Sequence, residues 1–134
     1  MDGPGFICAT RRHMSKRFDF INSKNTRYAC EQGSTFQGAV YIKGPFQTVT
    51  DLTGYTFRMQ VRATADSSTV LLEITSSQYG SITAATGKIS WTVPATITAA
   101  ITEGMYYYDL ELVSGSTVRR IIEGKFEVSA EVTR

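Results

Sequence analysis

Residues 104–113, Gly-Met-Tyr-Tyr-Tyr-Asp-Leu-Glu-Leu-Val, alternate with period two. Tyr106, Tyr108, Leu110 and Leu112 fall on one side, and Tyr107, Asp109 and Glu111 on the other. Successive side chains of a strand point to opposite faces, so this run reads as a strand with one buried and one wetter face. Its aromatic content makes it the candidate central strand. Such a strand needs neighbours for its hydrogen-bond ladder and cover for its apolar side. The rest of the chain is composed for that: Thr, Ser, Val, Ile, Tyr and Phe are abundant, and runs of Ala, Leu, Glu and Lys are scarce.

Residues 55–62 show the cleanest alternation, with Tyr55, Phe57, Met59 and Val61 inward and Thr56, Arg58, Gln60 and Arg62 outward. Further strands are expected at 26–32 (Tyr28 and Cys30 on one face), at 35–43 (Phe36, Gly38, Val40 and Ile42), at 70–75, at 81–83 and at 88–93 (Ile89, Trp91 and Val93). The last strand is expected over 117–132, with Val118, Ile122, Phe126, Val128 and Val132 inward and Gly124 as a bulge or bend. Ser114-Gly115-Ser116 reads as a tight hairpin turn. Pro94, with Ile97 and Ile101 four apart, predicts one helical turn crossing between sheets. About seven or eight short strands with frequent turns predict an all-β, two-sheet antiparallel immunoglobulin-like sandwich. A closed barrel is the alternative.

Tyr106 opens the penultimate strand of that arrangement, directly after the crossover. In immunoglobulin-like sandwiches a tyrosine at this place bonds a backbone group a few residues upstream and pins the crossover. Tyr106 is the candidate for that role, an ordinary core aromatic being the other reading. Tyr108, two residues on, occupies the core position.

A chain of 134 residues supplies one domain with enough interior to fold without staples. The domain is expected over 26–134, preceded by an N-terminal arm, 1–25, which Gly3, Pro4 and Gly5 keep irregular. The net charge of +2 is too small to imply nucleic acid. It is unevenly spread: residues 1–27 hold six basic and two acidic side chains. Met14 reads as a natural start, with 1–13 contributed by an upstream start or added in cloning. Lys16, Arg17, Phe18, Phe20 and Ile21 are the arm's candidate contacts to a neighbouring subunit. Cys8 and Cys30 read as free thiols, since one pair does not make a disulfide framework. No apolar run reaches the roughly 18 residues of a membrane span, and no secretory signal is evident.

The side chains offer little chemistry. His13, in the arm, is the single histidine, so a histidine-based triad or metal site has nothing to work with in the domain. No phosphate-binding glycine loop is present. Asp109 and Glu111 share a face ~7 Å apart by strand rise, with Glu123 and Glu127 on the expected neighbour. A solvated sheet face is the reading, ion-paired with Arg58, Arg62, Arg119 or Arg120. Tyr107 stands among these carboxylates as a contact residue or a carbohydrate platform, to which Tyr41 and Tyr79 could add.

One block carries a resemblance. Gly33-Ser34-Thr35-Phe36 is followed by Asp51-Leu52-Thr53-Gly54-Tyr55-Thr56-Phe57-Arg58-Met59-Gln60-Val61-Arg62, then Tyr108-Asp109-Leu110-Glu111-Leu112, Ile122-Glu123-Gly124 and Val132-Thr133-Arg134. Over about residues 26–134 this resembles small structural proteins of tailed bacteriophages, and is similar to the N-terminal immunoglobulin-like domain of phage baseplate upper proteins. The resemblance implies a non-enzymatic virion protein of the tail, baseplate, fibre attachment or head decoration. It implies other virion proteins and further copies of itself as partners, in a ring or trimer, with no cofactor, metal, membrane or nucleic acid. A carbohydrate-binding module that recognises a host surface is the alternative.

Overall fold

The computed structural model describes residues 6–10 (backbone only), 16–21, 29–44, 46 and 48–132. The strands are β1 (Phe6–Thr10), β2 (Lys16–Arg17), β3 (Cys30–Glu31), β4 (Phe36–Lys43), β5 (Thr56–Arg62), β6 (Leu72–Thr75), β7 (Gly80–Thr83), β8 (Lys88–Val93), β9 (Gly104–Ser114) and β10 (Thr117–Ser129). One helical turn, α1 (Ala95–Ala99), separates β8 from β9. They form two separate sheets, one in the order β1-β4-β8-β7, the other β2-β10-β9-β5-β6 with β3 also on β10. The central orders β4-β8-β7 and β10-β9-β5-β6 match the B-E-D and G-F-C-C′ layers of an immunoglobulin-like sandwich. The N-terminal strands depart from the antiparallel expectation: β1 runs parallel to β4, and β2 and β3 run parallel to β10.

The inward residues of β5 and β9 behave as their alternation predicts. Phe57, Met59 and Val61, and Tyr108, Leu110 and Leu112, are buried, and from the facing sheet come Val40, Ile42, Ile89, Trp91 and Val93. Each such side chain contributes about 1.5–3 kcal/mol by leaving water. The β9–β10 hairpin closes through Gly115 at φ 59°, the first of a two-residue loop, a geometry that suits glycine.

The bend expected at Gly124 lies elsewhere. The register between β9 and β10 shifts between Arg120 and Ile122, so the extra residue is Ile121. Both Ile121 and Ile122 are buried, and the inward phase changes there from odd to even. That leaves Val118 outside the core and places Arg119 opposite Leu112, away from the ion-paired face. Gly124 itself pairs in register with Tyr108. It is required for a close approach: a methyl group built there would overlap the Phe18 carbonyl oxygen and lie 2.6 Å from the Asp19 carboxylate.

The neighbour of Gly124 is the segment read as a free arm. Residues 16–20 run along the edge of β10, with Phe18 N–H donating to the Glu123 carbonyl (2.9 Å), Phe20 N–H to Lys125 (2.8 Å) and Glu127 N–H to Phe20 (2.8 Å). Phe20 is 1% exposed and sits among Phe36, Trp91, Tyr108 and Phe126. It is therefore part of this chain's own core. The physical reason is that the last strand has an open edge and an aromatic slot beneath it, and Phe-Asp-Phe alternates correctly to fill both. Phe18 and Ile21 are half-buried in the same line, and only Lys16 and Arg17 remain exposed. Further upstream, Phe6–Thr10 pairs residue for residue with Ala39–Lys43 on the other sheet. The described residues before position 26 thus contribute to both sheets. Of the strand expected at 26–32, residues 26–28 lie outside the described residues, as do His13 and Met14.

The crossover is tied from within. Thr98, fully buried, accepts from Gly33 N–H (3.1 Å) and donates to the Ser34 carbonyl (2.8 Å), and Gln32 donates to the Ile101 carbonyl (2.9 Å). Tyr106 O–H donates to the Thr102 carbonyl four residues upstream (2.6 Å), the bond of a tyrosine corner.

Candidate functional site

The outer face of β10, β9 and β5 is a grid whose rows follow from the register. One row is Lys125, Tyr107, Arg62; the next is Glu123, Asp109, Gln60, with Glu73 of β6 beyond; the third is Arg120, Glu111, Arg58. Acidic and basic side chains thus meet across strands. Arg58 Nε donates to Glu111 (2.8 Å), and Arg120 meets Glu123 (3.0 Å) and Asp109 (3.5 Å). Gln60 bridges the rows, donating to Glu73 (2.8 Å) and accepting from Arg62 (2.8 Å). Exposed pairs of this kind contribute at most ~1 kcal/mol each, so the grid orders the surface more than it holds the fold together.

The grid is not flat. A shallow concavity of about 420 Å³ lies over it. Its floor is β5, β9 and β10. Arg17 of β2 stands on one side, and Thr64 and Ala65 of the β5–β6 loop on the other. Tyr107, 43% exposed, opens into it. Arg62 is held by a second bond, to the Ser67 carbonyl (2.6 Å), which fixes the guanidinium against the loop wall. Three of the four arginines lining the concavity have carboxylate partners: Arg17 with Asp19 (3.3 Å), Arg58 and Arg120 as above. Arg62 is held by neutral oxygens.

Partial burial, then the nearby Glu111 and, further down, Glu123, raise the Asp109 carboxyl above its ordinary value, against the pull of Arg120 and Arg58. Burial also raises Tyr108, whose hydroxyl donates to the Phe18 carbonyl (2.5 Å). Cys30, buried on β3 beside β10, has its thiol pushed up to about 12, chiefly by burial and then by Glu31. That is the state of an inert structural thiol. Among the described residues no group of three or more His, Cys, Asp or Glu is placed to hold a metal ion.

The structure brings together Tyr107, Arg17, Asp109, Glu111, Arg58 and Arg120 as one surface. It separates the other candidates. Tyr41 lies on the opposite sheet beneath the Lys43 and Lys88 ammonium groups (5.4 and 5.8 Å), and Tyr79 sits in the β6–β7 turn packed on the core, so these two form no row with Tyr107. Trp91 is buried as expected, though its indole N–H has no partner among the described residues. Sequence reasoning missed Asp19, whose carboxylate accepts the Lys125 N–H (2.8 Å) from 106 residues away. No local signal announces such a pairing. The wall formed by Thr64 and Ala65 was equally hidden, because loop shape has no periodicity to read.

No family model matches the chain, and no curated protein matches it. Among solved structures it is similar to one described as the N-terminal domain of phage TP901-1 ORF48, at 10% identity and a TM-score of 0.43, covering 96% of this chain and 98% of that one.

Proposed function

We propose that the chain is a non-enzymatic structural module of a tailed-phage virion, acting by packing against other virion proteins and against copies of itself. The observation that carries this reading is the flank formed by β6 and β7. These two four-residue strands end the two sheets and are joined at Thr75 and Tyr79, with Val70 and Leu71 exposed just ahead of β6. On β6 the Glu73 carbonyl and the Thr75 N–H and C=O are already bonded by Gln78, which leaves β7 as the outer strand that a strand of another chain can extend, with the apolar neighbours adding contact area. The resemblance carried by residues 51–62 points to phage structural proteins as the setting. With residues 16–20 committed to their own core, this flank replaces the arm as the expected contact surface. The test is mass spectrometry of purified particles from cells carrying the native gene. The chain is expected in stoichiometric amount, and its absence from particles overturns the reading. Leu71→Lys, which places a charge on the flank without touching the core, is expected to lower incorporation at least fivefold while leaving the melting temperature unchanged.

A further inference from the structure

We propose that the concavity over β5 and β9 is a saccharide site for a terminal sugar bearing a carboxylate, with Tyr107 as the stacking surface and Arg62 as the partner of the carboxylate. Four observations converge on it. Tyr107 is the exposed aromatic of the concavity, and the electron-rich face of its ring suits the electropositive C–H face of a pyranose. Arg62 is its cross-strand neighbour and is already oriented by Ser67 and Gln60. Two of its five N–H donors are used there, leaving three for a planar acceptor. The other lining arginines are matched by carboxylates of this chain, so an incoming anion is steered to Arg62, with Lys125 on the far side of Tyr107 adding the same sign. Asp109 and Gln60 occupy the next row, where a sugar's hydroxyls would donate and accept. The volume is at the small end of ligand sites, and a single aromatic ring offers one stacking position, so the site suits one sugar residue rather than an extended chain. A protein segment fits less well, because the middle of a protein interface is depleted in the Asp and Glu that floor this one.

The test uses the full chain, isotope-labelled, titrated with sodium glucuronate and, separately, with glucose and a Glu-rich hexapeptide. Saturable shifts confined to Tyr107, Arg62 and their row, stronger for glucuronate than for glucose, are expected. Arg62→Gln should weaken glucuronate binding at least tenfold, and Tyr107→Ala at least fivefold, each with an otherwise unchanged spectrum. Arg58→Gln, which removes the same charge from the same concavity, should change it less than twofold. No saturable shift up to about 50 mM glucuronate, weaker than the affinities of specific sugar sites, overturns the proposal. An equal loss with Arg58→Gln also overturns it, since net charge alone would then explain the binding. So does binding of the peptide alone, insensitive to Tyr107→Ala, which would assign the surface to an acidic protein segment.

Discussion

Replacing Phe20 by alanine tests the placement of the N-terminal segment directly. The ring is 1% exposed, with centroids 4.9 Å from Tyr108, 5.1 Å from Phe18, 5.7 Å from Phe36, 5.9 Å from Phe126 and 6.1 Å from Trp91. Truncating a fully buried Phe removes its transfer free energy and leaves a cavity, together about 3–5 kcal/mol. Most of these neighbours meet it edge-on, a geometry that adds to the area term, so ~4 kcal/mol is the working figure. Unfolding entropy of ~2.1 cal/mol/K per residue over a chain of this length converts that into a fall in Tm of about 14 °C. Urea titration should show a lower midpoint with little change in slope, because the surface exposed on unfolding is nearly the same. Amide exchange should rise first at Phe18, Phe20 and Glu127, which share the affected ladder. A loss below ~1 kcal/mol, the level of a surface substitution, would mean that residues 16–21 hang free and that the docked edge described above is wrong.

Gly124→Ala should destabilise by about 2–4 kcal/mol, because the added methyl displaces Phe18 and Asp19 and weakens the charged hydrogen bond to Lys125 N–H; an unchanged urea midpoint refutes the close approach. Asp109→Asn should raise the Tm at pH 7. The parent carboxyl has a folded value above its unfolded one of about 3.9, so its ionisation erodes stability as pH rises through that interval, and the two proteins should converge below about pH 3. A lower Tm for the variant at pH 7 would show that the Arg120 pair dominates instead. In a Cys8→Ser background, Cys30 should resist a thiol reagent in the native state and react stoichiometrically in urea, as its burial and raised thiol require.

The two central strands were legible because alternation and burial coincide: Phe57, Met59, Val61, Tyr108, Leu110 and Leu112 are buried, and Tyr55 and Tyr106, partly buried, pack against the same core. The hairpin at Gly115 and the helical turn after Pro94 were legible for local reasons, one a positive φ and the other a proline at the edge of a helix. The last strand misled because a bulge changes the phase of alternation without any residue type to announce it, and Gly124 drew attention away from Ile121. The N-terminal segment misled more deeply. Its basic charge and broken pattern look like a solvated arm, but its fate is decided by the edge of β10 and by a slot whose walls, Phe36, Trp91, Tyr108 and Phe126, are spread along the rest of the chain. The site shows the same division. The alternating charges of the face follow from single-strand patterns, whereas the concavity depends on a loop wall and on Arg17 arriving from β2, both of which are tertiary facts.

The dependence of Phe20 on Phe126, and of Asp19 on Lys125, has a consequence for how the protein is made. At translation speeds of ~5–20 residues per second, the 106 residues separating Asp19 from Lys125 take roughly 5–20 s to synthesise. Throughout that interval the aromatic pair Phe18 and Phe20 has no slot to enter, and the edge that will hold it has not left the ribosome. Phe18 and Phe20 therefore find their place only once β10 has been made, although they precede it in the chain.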